Sequence, residues 1–410
     1  MAKIIEYFSI ATSNIGKRKL RSWLTMIGIF IGIAAVVGLI SLGQGLEKAI
    51  ETEFQKLGSD KIIVTPAGNV YNSIPDEDTP GKLKEDDEKV INRVRGVKTV
   101  ALTNFKVSEI KWGKEDIGFY FVSGNPTKND ESSLTQEVYA VTIIEGRYLK
   151  PDDKFKAVVG HDYATSTAFK KNLHPGSTII INNQEFEVVG VKDKLGNEGD
   201  DRTVIIPRDT YFELFDTKEY PDTIIVQVNK EFTPDDVAES IKKELRKERN
   251  QKEGQEDFAV KTLQEYLTSF LTILNIVQTV LVGIAAISLL VGAIGIMNTM
   301  YTTVLERRKE IGIMKAIGAR NSDILFLFMI ESGFLGLVGG VIGVLLGLGF
   351  SNLVASIGRQ ILGTKLLMAT SPWYLIVGAL AFAFIIGMLS GVLPAKQAAS
   401  LKPVETLRYE

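Results

Sequence analysis

The residues best placed to do specific work lie in one short stretch, VLERRKEIGIMKAIGAR (residues 304–320), between two glycine-rich apolar runs. At helical spacing Ile311, Met314, Ile317 and Gly318 share one face with Ile313 beside it, while Arg308 and Lys315 point elsewhere. An apolar ridge framed by positive charge can lie on a lipid surface or seat in another protein's groove. A basic loop that only set topology would account for the charges but not for the ridge, so the spacing predicts a docking helix. Covalent and acid–base chemistry find no comparable residues. The two histidines are His161 and His174, and the run His161–Asp162 with Ser166 nearby lacks the turn that presents a nucleophile. Cysteine is absent, which removes thiol catalysis and thiolate–zinc sites. The acidic clusters at 85–88 and 235–236 suit the first turns of helices, not a cation loop. No GxxxxGK[ST] phosphate loop occurs. The sequence therefore predicts a non-enzymatic chain, with no catalytic, cofactor-binding or metal-binding residues of its own.

The elements that would position such a helix are membrane spans. Residues 23–43, 267–305, 332–358 and 369–395 carry no charge, and a helix needs about 20 apolar residues to cross the hydrocarbon core. Four spans are predicted, near 23–43, 283–305, 324–350 and 372–393. Residues 44–266 hold 32 Lys and Arg against 42 Asp and Glu, and the remainder holds 15 against 7. Thirteen of those 15 basic residues lie in the N-terminal arm, the 306–323 loop and the C-terminal tail. The positive-inside rule puts both termini and that loop in the cytoplasm of a cell (inner or plasma) membrane protein, with the acidic segment outside. The first apolar run is too long for a signal-peptide core and lacks an A-x-A-like site, so it reads as a retained anchor. Residues 1–22 are mildly amphipathic and suit the inner membrane surface.

The fold class expected is an α-helical membrane protein with four transmembrane helices plus a large extracytoplasmic mixed α/β domain. Strands at 61–66, 97–102, 222–229 and 258–262, with helices at 86–95 and 233–245, give strand–helix–strand order at both ends of the outer segment 44–266. Thr233 as N-cap and Pro234 at the first helical position mark a helix start. The middle is β-rich, with a hairpin over 177–191 turning at Asn182–Asn183. The expectation is an α/β lobe (58–105 and 208–262) with a β-rich lobe (106–207) inserted, resting on burial without disulfides.

Within the spans, Gly336, Gly339, Gly340, Gly343 and Gly347 fall within about 100° on a helical wheel. They predict a helix-packing surface, with Gly28, Gly32, Gly283, Gly292 and Gly295 offering matching faces. Glu331, an intramembrane acid near the inner end of the third span, is expected to be functional, paired or protonated. The run 267–305 would reach about 58 Å as one helix, nearly double the roughly 30 Å core. It predicts a stalk continuous with the second span, and residues 351–371 an outer loop.

Four blocks carry a family resemblance: NIGKRKLRSWLTMIGIFIGIAAVV (14–37), ERRKEIGIMKAIGAR (306–320), Glu331 with Gly339–Gly340 and Gly343, and GVLPAKQAASLKPVETLRYE (391–410). The chain resembles, over nearly its full length, the FtsX-like permeases of ABC transporters, in the branch of the MacB and LolC/LolE transmembrane parts. The resemblance implies a four-span permease working as a homo- or heterodimer with a separate ABC-type ATPase that binds ATP and Mg. It implies that Glu306, Arg307, Arg308, Lys309, Glu310, Ile311, Gly312, Ile313, Met314, Lys315, Ala316, Ile317 and Gly318 form the ATPase-coupling helix. It also implies that ATP hydrolysis moves the MacB-like outer domain, exporting or extracting a peptide, drug or lipoprotein-like cargo. Further expected contacts are membrane lipid and an extracytoplasmic adaptor or cargo protein, with no nucleic acid. Two other classes stand beside this one. A membrane-anchored sensor would bind an extracellular peptide or drug and signal through an ATPase partner, and a membrane-bound hydrolase would need catalytic residues that the sequence lacks.

Overall fold

The structure, a computed structural model, describes residues 19–67, 82–113, 116–165, 167–169, 172–216, 220–362 and 368–403. The expectations for the N-terminal arm up to residue 18, for Ser166 and for the tail beyond residue 403 lie outside the described residues. Two compact units emerge, one helical (residues up to 49, 271–361 and from 365) and one α/β (50–270 with 362–364). The order runs α1 (Lys19–Leu57), β1 (Lys61–Pro66), α2 (Glu85–Asn92), β2 (Val97–Trp112), β3 (Asp116–Asn125), α3 (Asn129–Val138) and β4 (Ile143–Gly146). Next come β5 (Lys156–Val159), α4 (His161–Ala164), β6 (Thr178–Ile181), β7 (Gln184–Lys192), α5 (Glu198–Asp201), β8 (Val204–Pro207) and α6 (Arg208–Phe215). The rest is β9 (Thr223–Val228), α7 (Pro234–Glu248), β10 (Phe258–Thr262), α8 (Leu263–Glu306), α9 (Arg308–Ala316), α10 (Asn321–Leu362) and α11 (Trp373–Ser400).

In the α/β unit the strands follow the order β10-β1-β9-β2-β3-β8-β5-β7-β4, with β6 pairing both β2 and β7. Strands β10, β1, β9 and the first half of β2 form an antiparallel sheet. Its one face buries Ile62, Val100, Ile224 and Val226 under Ile91 beside α7's Val237, Ile241 and Leu245. The apolar i, i+4, i+8 spacing of α7 generates that contact. Thr233 is its N-cap and Pro234 its first residue; the Thr233 hydroxyl donates to the Asp236 carboxylate and makes no bond to a backbone N–H. The second half of β2 pairs with β3, and β6 closes β2-β3-β8-β5-β7-β6 into a ring. Around Tyr163, Phe186, Val204 and Ile206 this ring holds its own core. The β6–β7 hairpin turns at Asn182 and Asn183, both at positive φ (47° and 66°), as the two-residue primed turn requires.

Two features of this arrangement differ from the sequence expectation. The boundary falls inside one sixteen-residue strand, β2, which serves both sheets. Helix α3, sequence-wise in the inserted lobe, packs Leu134 and Val138 against Ala101 and Ile225 on the other face of the first sheet. Contact with a distant strand, not chain position, assigns it.

The helical unit contains α1, α8, α10 and α11, each long and apolar enough to cross a membrane. Helix α8, with 44 residues, runs through the stretch expected as stalk and second span, while α1 and α10, with 39 and 42 residues, extend beyond the bare spans expected of them. Residues 351–362, expected as the start of an outer loop, continue α10, since no proline stops it.

Candidate docking site of the helical unit

Helix α9 sits between two long helices, separated from α8 by Arg307 (φ −100°, ψ 17°). It ends where Ala319 N–H donates to Met314 O (3.0 Å) and Gly318 N–H to Lys315 O (3.1 Å). Gly318 takes φ +102° there, the left-handed conformation that this helix-ending motif needs. A Cβ at Gly318 would meet nothing within 4 Å, so this glycine serves the turn and not packing.

The expected ridge divides. Ile311 is fully buried, in one cluster with Val304, Ile324, Phe328 and Ala395, and Met314 packs against that cluster. Gly312 is buried too. Ile317 is 81% exposed and Ile313 49%. The face expected to enter a partner is therefore partly the face that fixes α9 to its own protein. The outward face carries Lys309, Ile313 and Ala316 at i, i+4 and i+7, with Ile317 beside them; Glu306, Arg308 and Glu310 are exposed as well. Helical periodicity identifies an apolar stripe but not what covers it.

Two cations fasten the helix. Arg307 Nη1 donates to Glu331 Oε2 (3.1 Å) and Oε1 (3.3 Å), its Nε to Glu310 Oε2 (2.8 Å), and its guanidinium lies 5.7 Å from the Phe328 ring centroid. This supplies a partner for Glu331 that sequence reasoning could not name, because the two residues stand 24 positions apart. Lys315 Nζ donates to the carbonyls of Ala399 and Leu401 (2.7 Å for the latter). A cation there satisfies open carbonyls and suits the negative end of α11.

Glycines set the helix spacing above this base. A Cβ on Gly28 would lie 2.6 Å from Gly292 Cα, so α1 and α8 meet backbone to backbone. Gly32 faces Leu289. The α10 stripe serves two neighbours: Gly336 and Gly340 approach Ala383 of α11, whereas Gly343 and Gly347 approach Phe30, Ile33 and Ala34 of α1. Gly339 is buried and Gly295 half-buried, while Gly283 has nothing within 4 Å and is no packing surface in this protomer. The sequence reading missed Gly387 and Gly391, whose added Cβ atoms would strike Ser332; their own i, i+4 spacing was the available signal.

Asp162 accepts from Arg202 Nε (3.1 Å), and His174 Nδ1 lies 3.0 Å from Glu145 Oε2. Among the described residues no three His, Cys, Asp or Glu side chains group as a metal would require.

Residues 22–244 match the family described as the MacB-like periplasmic core domain, and residues 282–403 that described as FtsX-like permease C-terminal. The chain is 38% identical to an uncharacterized ABC transporter permease of Methanocaldococcus jannaschii, covering 100% of this chain and 99% of that one. It is 32% identical to the macrolide export ATP-binding/permease protein MacB of Bdellovibrio bacteriovorus, covering 100% of this chain but 62% of that one. The periplasmic region of MacB from Actinobacillus actinomycetemcomitans aligns with a TM-score of 0.43 at 15% identity, covering 54% of this chain and 97% of that one. Four apolar helices and a large α/β domain make a multi-pass membrane protein. The chain belongs to the MacB/FtsX-type family of ABC transporter permeases.

Proposed function

We propose that this permease transmits ATP-driven motion from a separate ABC-type ATPase to its α/β domain, moving a peptide, drug or lipoprotein-like cargo. In this reading it has no catalytic role of its own, ATP and Mg are held by the partner, and two protomers work together. The charge asymmetry supports placing both termini and residues 306–323 in the cytoplasm, with 44–266 outside. A separate ATPase is favoured because the Methanocaldococcus jannaschii relative is named a permease, without the ATP-binding label that the Bdellovibrio bacteriovorus relative carries. The observation that carries the proposal is the mounting of α9. Ile311, Arg307 and Lys315 hold it to the helical unit and leave Lys309, Ile313, Ala316 and Ile317 facing outward. A short helix held on its inner side passes on displacement applied to its outer side.

Co-purification with the ATPase from native membranes tests this. Burying one such side chain is worth about 1.5–3 kcal/mol, so Ile313→Asp and Ile317→Asp each weaken association at least about tenfold. Met314→Asp instead destabilises the permease itself. Unchanged ATPase binding by the Ile313→Asp/Ile317→Asp double variant removes the assignment.

A further inference from the structure

A crevice of about 330 Å³ opens where α1 ends and α8 begins, walled by Phe54 and Gln55 of α1, by Ser59, and by Leu263, Gln264 and Leu267 of α8. Small-ligand pockets start at about 300 Å³, so it holds a group of two side chains' size. The sheet builds it. Ile62 pairs with Thr262 where β1 starts and β10 ends, which sets the last turn of α1 beside the first turn of α8. Gly58 closes α1 at φ +80°, its N–H donating to Gln55 O (3.3 Å). Helix α8 caps itself: the Thr262 N–H donates to Glu265 Oε2 (2.8 Å) and the Glu265 N–H to Thr262 Oγ1 (3.1 Å). Leu263 and Leu267 are buried and Phe54 is half-buried, giving the crevice apolar walls.

The two helix ends leave a negative balance between them. The positive end of α8 already has the Glu265 carboxylate. The negative end of α1 has only Lys61 near it, 2.9 Å from where a Cβ on Gly58 would stand, and that ammonium is divided between Asp60 Oδ1 (2.7 Å) and Glu137 Oε1 (3.2 Å). Glu51 adds its carboxylate to the crevice wall. It is half-buried, and among the described residues it has neither an ion pair nor a hydrogen bond. A carboxylate partly withdrawn from water beside apolar side chains lacks the cation that would offset its desolvation. The side chains of Gln55, Ser59 and Gln264 likewise have no hydrogen bond among the described residues, and each both donates and accepts, as a peptide backbone requires. We propose that this crevice binds a segment of a cationic peptide, its ammonium group on Glu51 and the adjoining apolar side chain against Phe54, Leu263 and Leu267. The proposal narrows the cargo class of the proposed function and so rests on that reading. The occupant braces the end of α1 against the start of α8, at the point where both leave the sheet.

The probe is the dipeptide leucyl-phenylalanine amide, titrated against the full chain in lipid nanodiscs and read by saturation-transfer NMR. Its N-acetylated form removes the charge and keeps the side chains, while benzylamine keeps an ammonium and a ring without peptide bonds. The free dipeptide binds, and acetylation or Glu51→Gln each weakens it about three- to tenfold, the worth of a charged hydrogen bond reduced for partial exposure. Phe54→Ala weakens the free and acetylated forms alike. Equal binding of the acetylated form, wild-type affinity in Glu51→Gln, or no binding of the free dipeptide overturns the site. Benzylamine binding as tightly as the dipeptide overturns the peptide as its occupant. ATPase co-purification with the wild-type chain separates the two readings. An ATPase retained while the dipeptide fails to bind strikes the crevice alone, and a bound dipeptide without the ATPase strikes the coupling role alone.

Discussion

Replacing Arg307 by methionine tests how α9 is held. The guanidinium serves two carboxylates of different standing. Glu310 is 62% exposed, and its pair with Arg307 is worth at most about 0.5–1 kcal/mol. Glu331 is 12% exposed and Arg307 15%, closer to the buried case, where removing one partner costs about 3–5 kcal/mol because the remaining charge keeps its desolvation penalty. Residual solvent access lowers that, and methionine keeps part of the stem's packing on Phe328. Arg307→Met should therefore cost about 2–4 kcal/mol. Glu331→Gln, which removes the complementary charge, should cost less. The double variant should recover at least about 1 kcal/mol relative to the sum of the two, since the stranded carboxylate is gone. Unfolding of all four proteins in lipid nanodiscs gives the cycle, and ATPase affinity measured alongside reports whether α9 has lost its mount. Additive effects, or a single-variant cost under about 0.5 kcal/mol, would refute the ion pair as the fastening of α9.

The glycine contacts predict a sharp contrast within one helix: a Cβ at Gly336 would lie 2.3 Å from Ala383 O, whereas one at Gly349 meets nothing within 4 Å. Gly336→Leu should cost at least about 1–3 kcal/mol and Gly349→Leu little, read as thermal stability in detergent; equal melting of the two would remove the packing role. In the α/β unit, burial raises the Asp222 carboxyl from its ordinary 3.8 to about 6, opposed by the Phe105 N–H bond, Asn104 and Arg208. The folded state thus binds this proton more tightly than the unfolded one, so the stabilisation is complete below about pH 4 and is lost as pH rises to about 6, on the order of 2–3 kcal/mol. Asp222→Asn keeps an acceptor for Phe105 N–H and should flatten that window; a wild-type pH profile in the variant contradicts the assignment. Asn275→Pro breaks the α8 ladder at a cost of about 3 kcal/mol or more. It should leave ATPase association intact while abolishing any ATP-dependent change in crosslinking at Thr272→Cys, and a preserved change would dismiss α8 as the transmission element.

What the sequence determined by itself is what short-range physics encodes. Uncharged runs long enough to cross a bilayer can only be satisfied as helices, because each backbone group then bonds within its own segment. Asn182–Asn183 announced the β6–β7 hairpin because both residues tolerate positive φ, and Thr233–Pro234 announced the start of α7. The glycine spacing of α10 marks a packing surface, but not that Gly336 and Gly340 approach one helix while Gly343 and Gly347 approach another. Tertiary structure alone decided the rest. β2 serves two sheets because its second half pairs with the adjacent β3 while its first half pairs with β9, from far along the chain. Glu331 has its cation because folding brings Arg307 back across 24 residues. The same limit turned the α9 ridge around: the i, i+3 spacing of Ile311 and Met314 fixes one shared face, but burial depends on which surface arrives opposite it. Here that surface is the protein's own α8, α10 and α11, which leaves Ile313 and Ile317 pointing out.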